Sequence, residues 1–169
     1  SCTDYLIKKG YTSANGIALY TSSAGGITAG MAVNKKPNLY SAFIAEVPRM
    51  NPYSLESSEF STSSSFTEYG TVKDSLEYYG LLRMDPYLNL QQHQIYPATL
   101  MMPSSGDDRI PLWDTGKYIA RLQLYDSDSS PKLLDIDYNS GHDGNGSYED
   151  YLKTYAKIFA FARKFTRQE

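Results

Sequence analysis

Little in this sequence speaks for cross-links, membranes or nucleic acid. A single cysteine, Cys2, excludes an internal disulfide, so stability has to come from packing. A lone thiol also fits a reducing compartment, and a cytoplasmic location is expected. No apolar run approaches the ~18 residues that a membrane span requires. The 16 lysines and arginines are outnumbered by 19 acidic residues, giving a net charge of -3. No basic patch for a phosphate backbone stands out, so neither nucleic acid nor membrane is expected as a partner. Neither an initiator Met nor a charged-then-apolar leader opens the chain.

What is present suffices for one packed domain. The 169 residues are 41% hydrophobic and 21% charged, ordinary values for a globular core. Four short apolar runs read as strands: Ile17 to Tyr20, Ala42 to Val47, Ala98 to Met102 and Leu133 to Ile136. They are continuous rather than alternating, as in parallel strands buried on both faces. Helical patterns lie between them. Ala24 to Lys36 is small and apolar nearly all round and reads as a buried helix. Leu112 to Leu124 follows Pro111, a good helix-starting residue. The last helix opens on Ser147 and Asp150, spaced as a capping box. Tyr148, Tyr151, Leu152, Tyr155, Ile158, Phe159, Ala162 and Phe165 then recur at helical spacing and predict one apolar face. Strand alternating with helix means an α/β fold with a parallel sheet.

Two segments stand apart. Ser1 to Gly10 reads like the end of a helix already under way, with Gly10 as its stop. Such a start suggests a piece of a longer protein. Arg49 to Gln94 is first Ser/Thr-rich, then Tyr-rich. It is either a solvated connection with two short helices or a substrate-facing insertion, since long connections in such folds often carry specificity.

The chemistry starts at Leu19-Tyr20-Thr21-Ser22-Ser23-Ala24-Gly25-Gly26. A strand turns straight into a helix through small residues, with Ser23 at the corner. This is the setting of a nucleophile elbow, where a tight turn exposes the serine hydroxyl. The Ala24 N–H, at the helix N-terminus, is then placed to stabilise an oxyanion. Thr21 stands where the G-x-S-x-G pattern has its first glycine, and a serine-rich helix cap is the plain alternative. A serine nucleophile needs a base, and there are only two histidines, His93 and His142. His93 lies in the polar run Gln91 to Gln94 and reads as a surface residue. His142 follows the last strand, at the carboxyl edge where parallel sheets build their sites. Asp107 and Asp108 follow the third strand and offer the carboxylate that orients an imidazole. Ser, then Asp, then His is the chain order of the α/β-hydrolase fold. Asp135, Asp137 and Asn139 have the spacing of a calcium loop, but Ser140 and Gly146 break it at its sixth and twelfth positions. No metal and no cofactor are expected.

Taken in order, Tyr5-Leu6-Ile7, Gly10-Tyr11-Thr12, Ser22 to Gly26, Ala45 to Pro48, Asp107 to Pro111 and Gly141-His142 resemble the catalytic domain of the prolyl oligopeptidase family. Within that family they are most similar to oligopeptidase B. The resemblance covers residues 1–169, weakest from about Asn51 to Ser65, and implies the C-terminal part of an α/β-hydrolase domain. It implies a serine peptidase of short peptides, with Ser23 as nucleophile, His142 as base and Asp107 as orienter. It further implies that Arg109 binds a backbone carbonyl of the substrate. Oligopeptidase B carries several acids before a Trp-Gly pair; here only Glu68 of them is kept, the one further candidate for substrate binding. The family's β-propeller, first sheet strands and second oxyanion donor would precede this chain. The expected partners are therefore short peptides and the polypeptide that completes the sheet. Thr21-Ser22 replaces the family's Gly-Gly, and Asp143 replaces a glycine after the base. Two other functions compete: a fragment or relative kept for binding or assembly, and a hydrolase of small esters.

Overall fold

The computed structural model describes residues 2–14, 16–57, 59, 63–144 and 147–166. Ser1, Ser58, Ser61, Thr62 and Gly146, which enter the sequence reading, lie outside the described residues.

The chain opens with helix α1 (Cys2–Lys8). Gly10 ends it at φ 73°, donating to the Ile7 carbonyl while the Tyr11 N–H reaches the Leu6 carbonyl. That pair of bonds is a Schellman stop, and the left-handed φ explains the glycine. Strand β1 (Ala18–Ser22) leads into helix α2 (Gly25–Lys35), then strand β2 (Ala42–Glu46). The long connection forms a 3-10 turn (Pro52–Ser57) and two short helices, α3 (Ser63–Tyr69) and α4 (Ser75–Met84). Asp74 caps α4, accepting from the Leu76 and Glu77 N–H groups. Strand β3 (Ala98–Met102), helix α5 (Leu112–Tyr125), strand β4 (Lys132–Leu134) and helix α6 (Tyr148–Thr166) complete the order.

The strands form one parallel sheet in the order β1-β2-β3-β4. β2 and β3 are central and buried on both faces. Phe43, Ala45 and Met101 point into a core shared with Val33 of α2 and Tyr118 and Leu122 of α5. Ala42, Ile44 and Leu100 point the other way, against Ile158 and Phe161 of α6. The result is a three-layer α/β/α arrangement.

Three expectations need correction. β4 is shorter than the apolar run predicted. Its pairing lapses after Asp135 N–H reaches Met101, because Pro103 has no N–H to return, and resumes only as the isolated bridge Ser104–Asp137. α6 does not bury one broad apolar face. Only Ile158 and Phe161 are buried, whereas Tyr148, Tyr151, Leu152 and Phe159 are exposed. Tyr148, Tyr151, Tyr155 and Phe159 instead stack along the helix, beside Tyr20 of β1. A parallel sheet narrow at this edge leaves that row uncovered. Likewise α2 buries one side, with Ala29, Gly30 and Val33 inward and Thr28 exposed.

Candidate active site

Four strand ends meet at the carboxyl edge of the sheet. β1 ends at Ser23, which adopts φ 51°, a left-handed conformation uncommon for any residue with a side chain. Its neighbours hold it there: the Ser23 N–H binds the Glu46 carbonyl, and the Ser23 carbonyl accepts from Gly26 and Arg49. β2 ends in the same way, with the β-branched Val47 at φ 40°, tied through its N–H to Met102. Backbone strain concentrated at two adjoining strand ends is a mark of a functional edge.

Beyond β3, the chain runs through Ser104 to Gly106 into Asp107; beyond β4, it runs into the His142 loop. These two loops are zipped together. Gly106 N–H donates to the Ser140 carbonyl, Ser105 N–H to the Asp137 carbonyl, and the Ser104 and Ser140 hydroxyls share a hydrogen bond at 2.9 Å. The zipper sets the geometry of the site. Ser23 Oγ lies 2.9 Å from His142 Nε2, and His142 Nδ1 lies 2.8 Å from Asp107 Oδ2. The His142 and Asp107 side chains are only 7% and 1% exposed, so the contact is shielded from water. Asp107 Oδ1 meanwhile accepts the Arg109 and Ile110 N–H groups, both at 2.8 Å. Each carboxylate oxygen therefore has a fixed job, and the group cannot swing. Asp108 points to solvent, so of the two aspartates only Asp107 reaches the imidazole. His93 is exposed, as its polar neighbours suggested.

The arrangement can relay a proton from a serine hydroxyl to an imidazole oriented by a carboxylate. The Ala24 N–H opens α2, where helix-end donors have no partner within the helix. A cavity of about 930 Å³ lies over these groups, walled by Ser23, Glu46, Val47, His142, Tyr151 and Tyr155. On that wall the Tyr20 hydroxyl donates to Glu46 Oε2 at 2.8 Å. Burial, reinforced by that carboxylate, raises the Tyr20 phenol well above its ordinary range.

Residues 1–169 match the prolyl oligopeptidase family throughout. The chain belongs to the prolyl oligopeptidase family. It is 30% identical over 162 residues to dipeptidyl aminopeptidase BI of Pseudoxanthomonas mexicana, a match covering 94% of this chain and 22% of that protein. It is equally 30% identical over 161 residues to prolyl endopeptidase of Elizabethkingia miricola, covering 94% and 23%. In fold it superimposes on oligopeptidase B from Leishmania major with a TM-score of 0.91 at 24% identity, over 98% of this chain and 23% of that one. The chain thus spans less than a quarter of the length of these relatives.

The departures from the family pattern can be placed. Thr21 is accommodated by Gly25: a Cβ there would collide with Thr21 Oγ1. Asp143 turns its carboxylate to the Arg109 guanidinium at 2.9 Å, bridging the two loops that hold Asp107 and His142. Arg109 and Asp143 are both well exposed, at 60% and 76%. Glu68 lies exposed on α3 and is not among the residues lining the cavity. The calcium spacing is already committed elsewhere: Asp135 pairs with Lys157, and Asp137 binds Ser140 and the Asn139 N–H. Among the described residues, no group of acids, histidines or cysteines is arranged to hold a metal ion. No helix among them is long and apolar enough to cross a membrane.

Sequence reasoning missed Arg49 and Asp114. They form a buried ion pair, Nη1 to Oδ2 at 3.3 Å, directly behind the site. A charged residue two positions beyond the apolar run Ala42 to Val47 was the one available signal.

Proposed function

We propose that this chain carries the catalytic groups of a serine peptidase that hydrolyses short peptides. The observation that carries the proposal is the chain Ser23 Oγ–His142 Nε2 and His142 Nδ1–Asp107 Oδ2, built on a serine in strained left-handed backbone. In this reading His142 Nε2 takes the Ser23 proton as Oγ attacks the peptide carbonyl, and Asp107 stabilises the imidazolium that forms. The tetrahedral oxyanion rests on the Ala24 N–H and collapses to an acyl-enzyme, as His142 returns the proton to the leaving amine. A water, deprotonated by the same imidazole, then releases the acid. Arg109 is assigned to a substrate carbonyl, with Asp143 holding its guanidinium at the site's rim. Glu68 remains assigned to substrate on resemblance alone. The two relatives described above are named as an aminopeptidase and an endopeptidase, which favours peptide over simple ester substrates.

The same reading makes residues 1–169 the C-terminal part of a larger α/β-hydrolase domain. Further polypeptide would pair with the open side of β1 and cover the aromatic row of α6. A cytoplasmic location belongs to this proposal as well.

The test is labelling of the complete protein with a fluorophosphonate, followed by peptide and ester turnover. Stoichiometric labelling that disappears in Ser23→Ala, with peptides turned over, is the expected result. An unlabelled protein would refute hydrolase activity, and turnover of esters alone would refute the peptidase reading.

A further inference from the structure

Arg49 does more than neutralise Asp114. Its backbone N–H donates to the Ser23 carbonyl at 3.0 Å, fixing the turn that carries the nucleophile. Its side chain reaches the other way, with Nη2 donating to the Arg109 carbonyl at 2.7 Å. Arg109 in turn donates its own N–H to Asp107 Oδ1. A closed circuit of hydrogen bonds results: Ser23 to Arg49, Arg49 to Arg109, Arg109 to Asp107, Asp107 to His142, and His142 back to Ser23. Asp114 keeps the circuit in place by holding both the guanidinium and, through Oδ1, the Met50 N–H at 2.8 Å.

Stability alone does not account for this pair. Its side chains are 5% and 0% exposed, and burying two charges costs desolvation that their attraction barely offsets. Arg49 Nε has no hydrogen-bond partner, so the guanidinium is not even fully satisfied. What the pair does supply is a fixed link between the Arg49 segment and the loop that carries Asp107, 60 residues further along the chain.

We propose that Arg49 is a positioning residue, which sets the register of the Asp107 loop against the Ser23 turn and so aligns the imidazole. The inference rests on the hydrolase reading above, but one of its readouts, the His142 proton resonance, does not. The guanidinium is planar and donates in two directions at once, one to Asp114 and one to the Arg109 carbonyl. A lysine ammonium in its place could serve one partner well but would not bridge both.

The experiment compares the complete protein with Arg49→Met/Asp114→Asn and with Arg49→Lys. The double substitution removes both charges together and leaves a side-chain amide oxygen at position 114 to accept from the Met50 N–H. Three quantities are read: the melting temperature, fluorophosphonate labelling resolved into Ki and the inactivation rate, and the downfield proton resonance of the His142 Nδ1–H bonded to Asp107. We expect near-native melting, an unchanged Ki, and an inactivation rate lowered about 10- to 100-fold, the cost of misplacing a catalytic group by roughly 1 Å. The downfield resonance should be lost in the double variant, and Arg49→Lys should fall between it and the unaltered protein. A folded variant of either kind that keeps both resonance and inactivation rate overturns the proposal. If the double variant does not fold, Arg49→Lys, which keeps the buried charge paired, decides alone. An unaltered protein that shows the resonance but takes no label would refute the hydrolase reading, while the variants' resonances would still decide the role of Arg49.

Discussion

Gly26→Ala is a small change with a large expected effect, and its size follows from the space around one atom. Gly26 lies in the first turn of α2, where alanine would ordinarily stabilise a helix by about 0.5–1 kcal/mol. Here the added Cβ would sit 2.8 Å from the Arg49 carbonyl oxygen, 2.8 Å from Pro48 Cβ and 3.0 Å from the Arg49 nitrogen. None of these is the loose end of a flexible side chain. Two are backbone atoms, and the Arg49 nitrogen is the group that donates to Ser23. To relieve the contact, either α2 or the 48–49 loop must move by several tenths of an ångström, and overpacking of this kind costs about 1–3 kcal/mol. The net expectation is a loss of about 0–2.5 kcal/mol after the helix gain is subtracted. Gly116→Ala is the matched control, because Gly116 is in α5 with no heavy atom within 4 Å of its added Cβ. It should gain the helix term in full, about 0.5–1 kcal/mol. The assay is the urea midpoint for loss of fluorophosphonate labelling, run on both variants of the complete protein. If Gly26→Ala proves as stable as Gly116→Ala and labels at the unaltered rate, the reasoning from close approach at the nucleophile turn is wrong.

Asp107→Asn should lower turnover by about 10⁴-fold through the wrong imidazole tautomer, whereas the exposed Asp108→Asn should cost little. Steady-state kinetics showing the reverse order would exchange their roles. Burial pushes the Asp114 carboxyl up to about 6, against the lowering pull of Arg49. A carboxyl that holds its proton more tightly when folded contributes stability below its unfolded value, and that contribution is lost as pH rises through about 6. Stability should therefore decline by an amount on the order of 2–3 kcal/mol between about pH 4 and 6 from this group. Buried Asp85 is shifted in the same direction. Urea midpoints measured across that range should show the slope, and Asp114→Asn should flatten it. Residues 1–169 alone should self-associate, because β1 offers an unpaired edge beside the exposed Tyr151 and Phe159. A monodisperse monomer in light scattering would contradict that expectation.

What was legible in the sequence depended on how local the cause was. β3 matched its apolar run because all five of its residues are buried, so hydropathy and burial say the same thing. Gly10 was legible because a left-handed helix stop has almost no other occupant. The three site loops could be read because a parallel sheet sends every strand end to one edge, and chain order then limits which residues can meet there. α6 was misjudged for the opposite reason. Helical periodicity reports which residues share a side, but not whether the facing layer extends far enough to cover them. Tyr151 and Phe159 fit the apolar period as well as Ile158 does, yet only Ile158 lies over β2. Arg49 and Asp114 are 65 residues apart, and neither has a local reason to be charged.

Thr21 shows how a departure from a motif can be resolved one turn away. The elbow pattern asks for glycine at that place because helix and strand approach closely there. The structure keeps Ser23 at φ 51° with a threonine present, because the space Thr21 Oγ1 needs is the space Gly25 leaves. The requirement is therefore that one of the two elements leave free the space Thr21 Oγ1 fills, since Thr21 Cβ would lie an ordinary 3.7 Å from the added carbon. It follows that Gly25 should tolerate alanine once Thr21 loses its hydroxyl. Gly25→Ala alone should slow labelling of Ser23, since a Cβ placed on Thr21 Oγ1 forces that side chain, or the turn itself, to move. Gly25→Ala combined with Thr21→Gly should restore the labelling rate. Labelling at the unaltered rate in the single variant would show that the turn has slack the contact geometry denies.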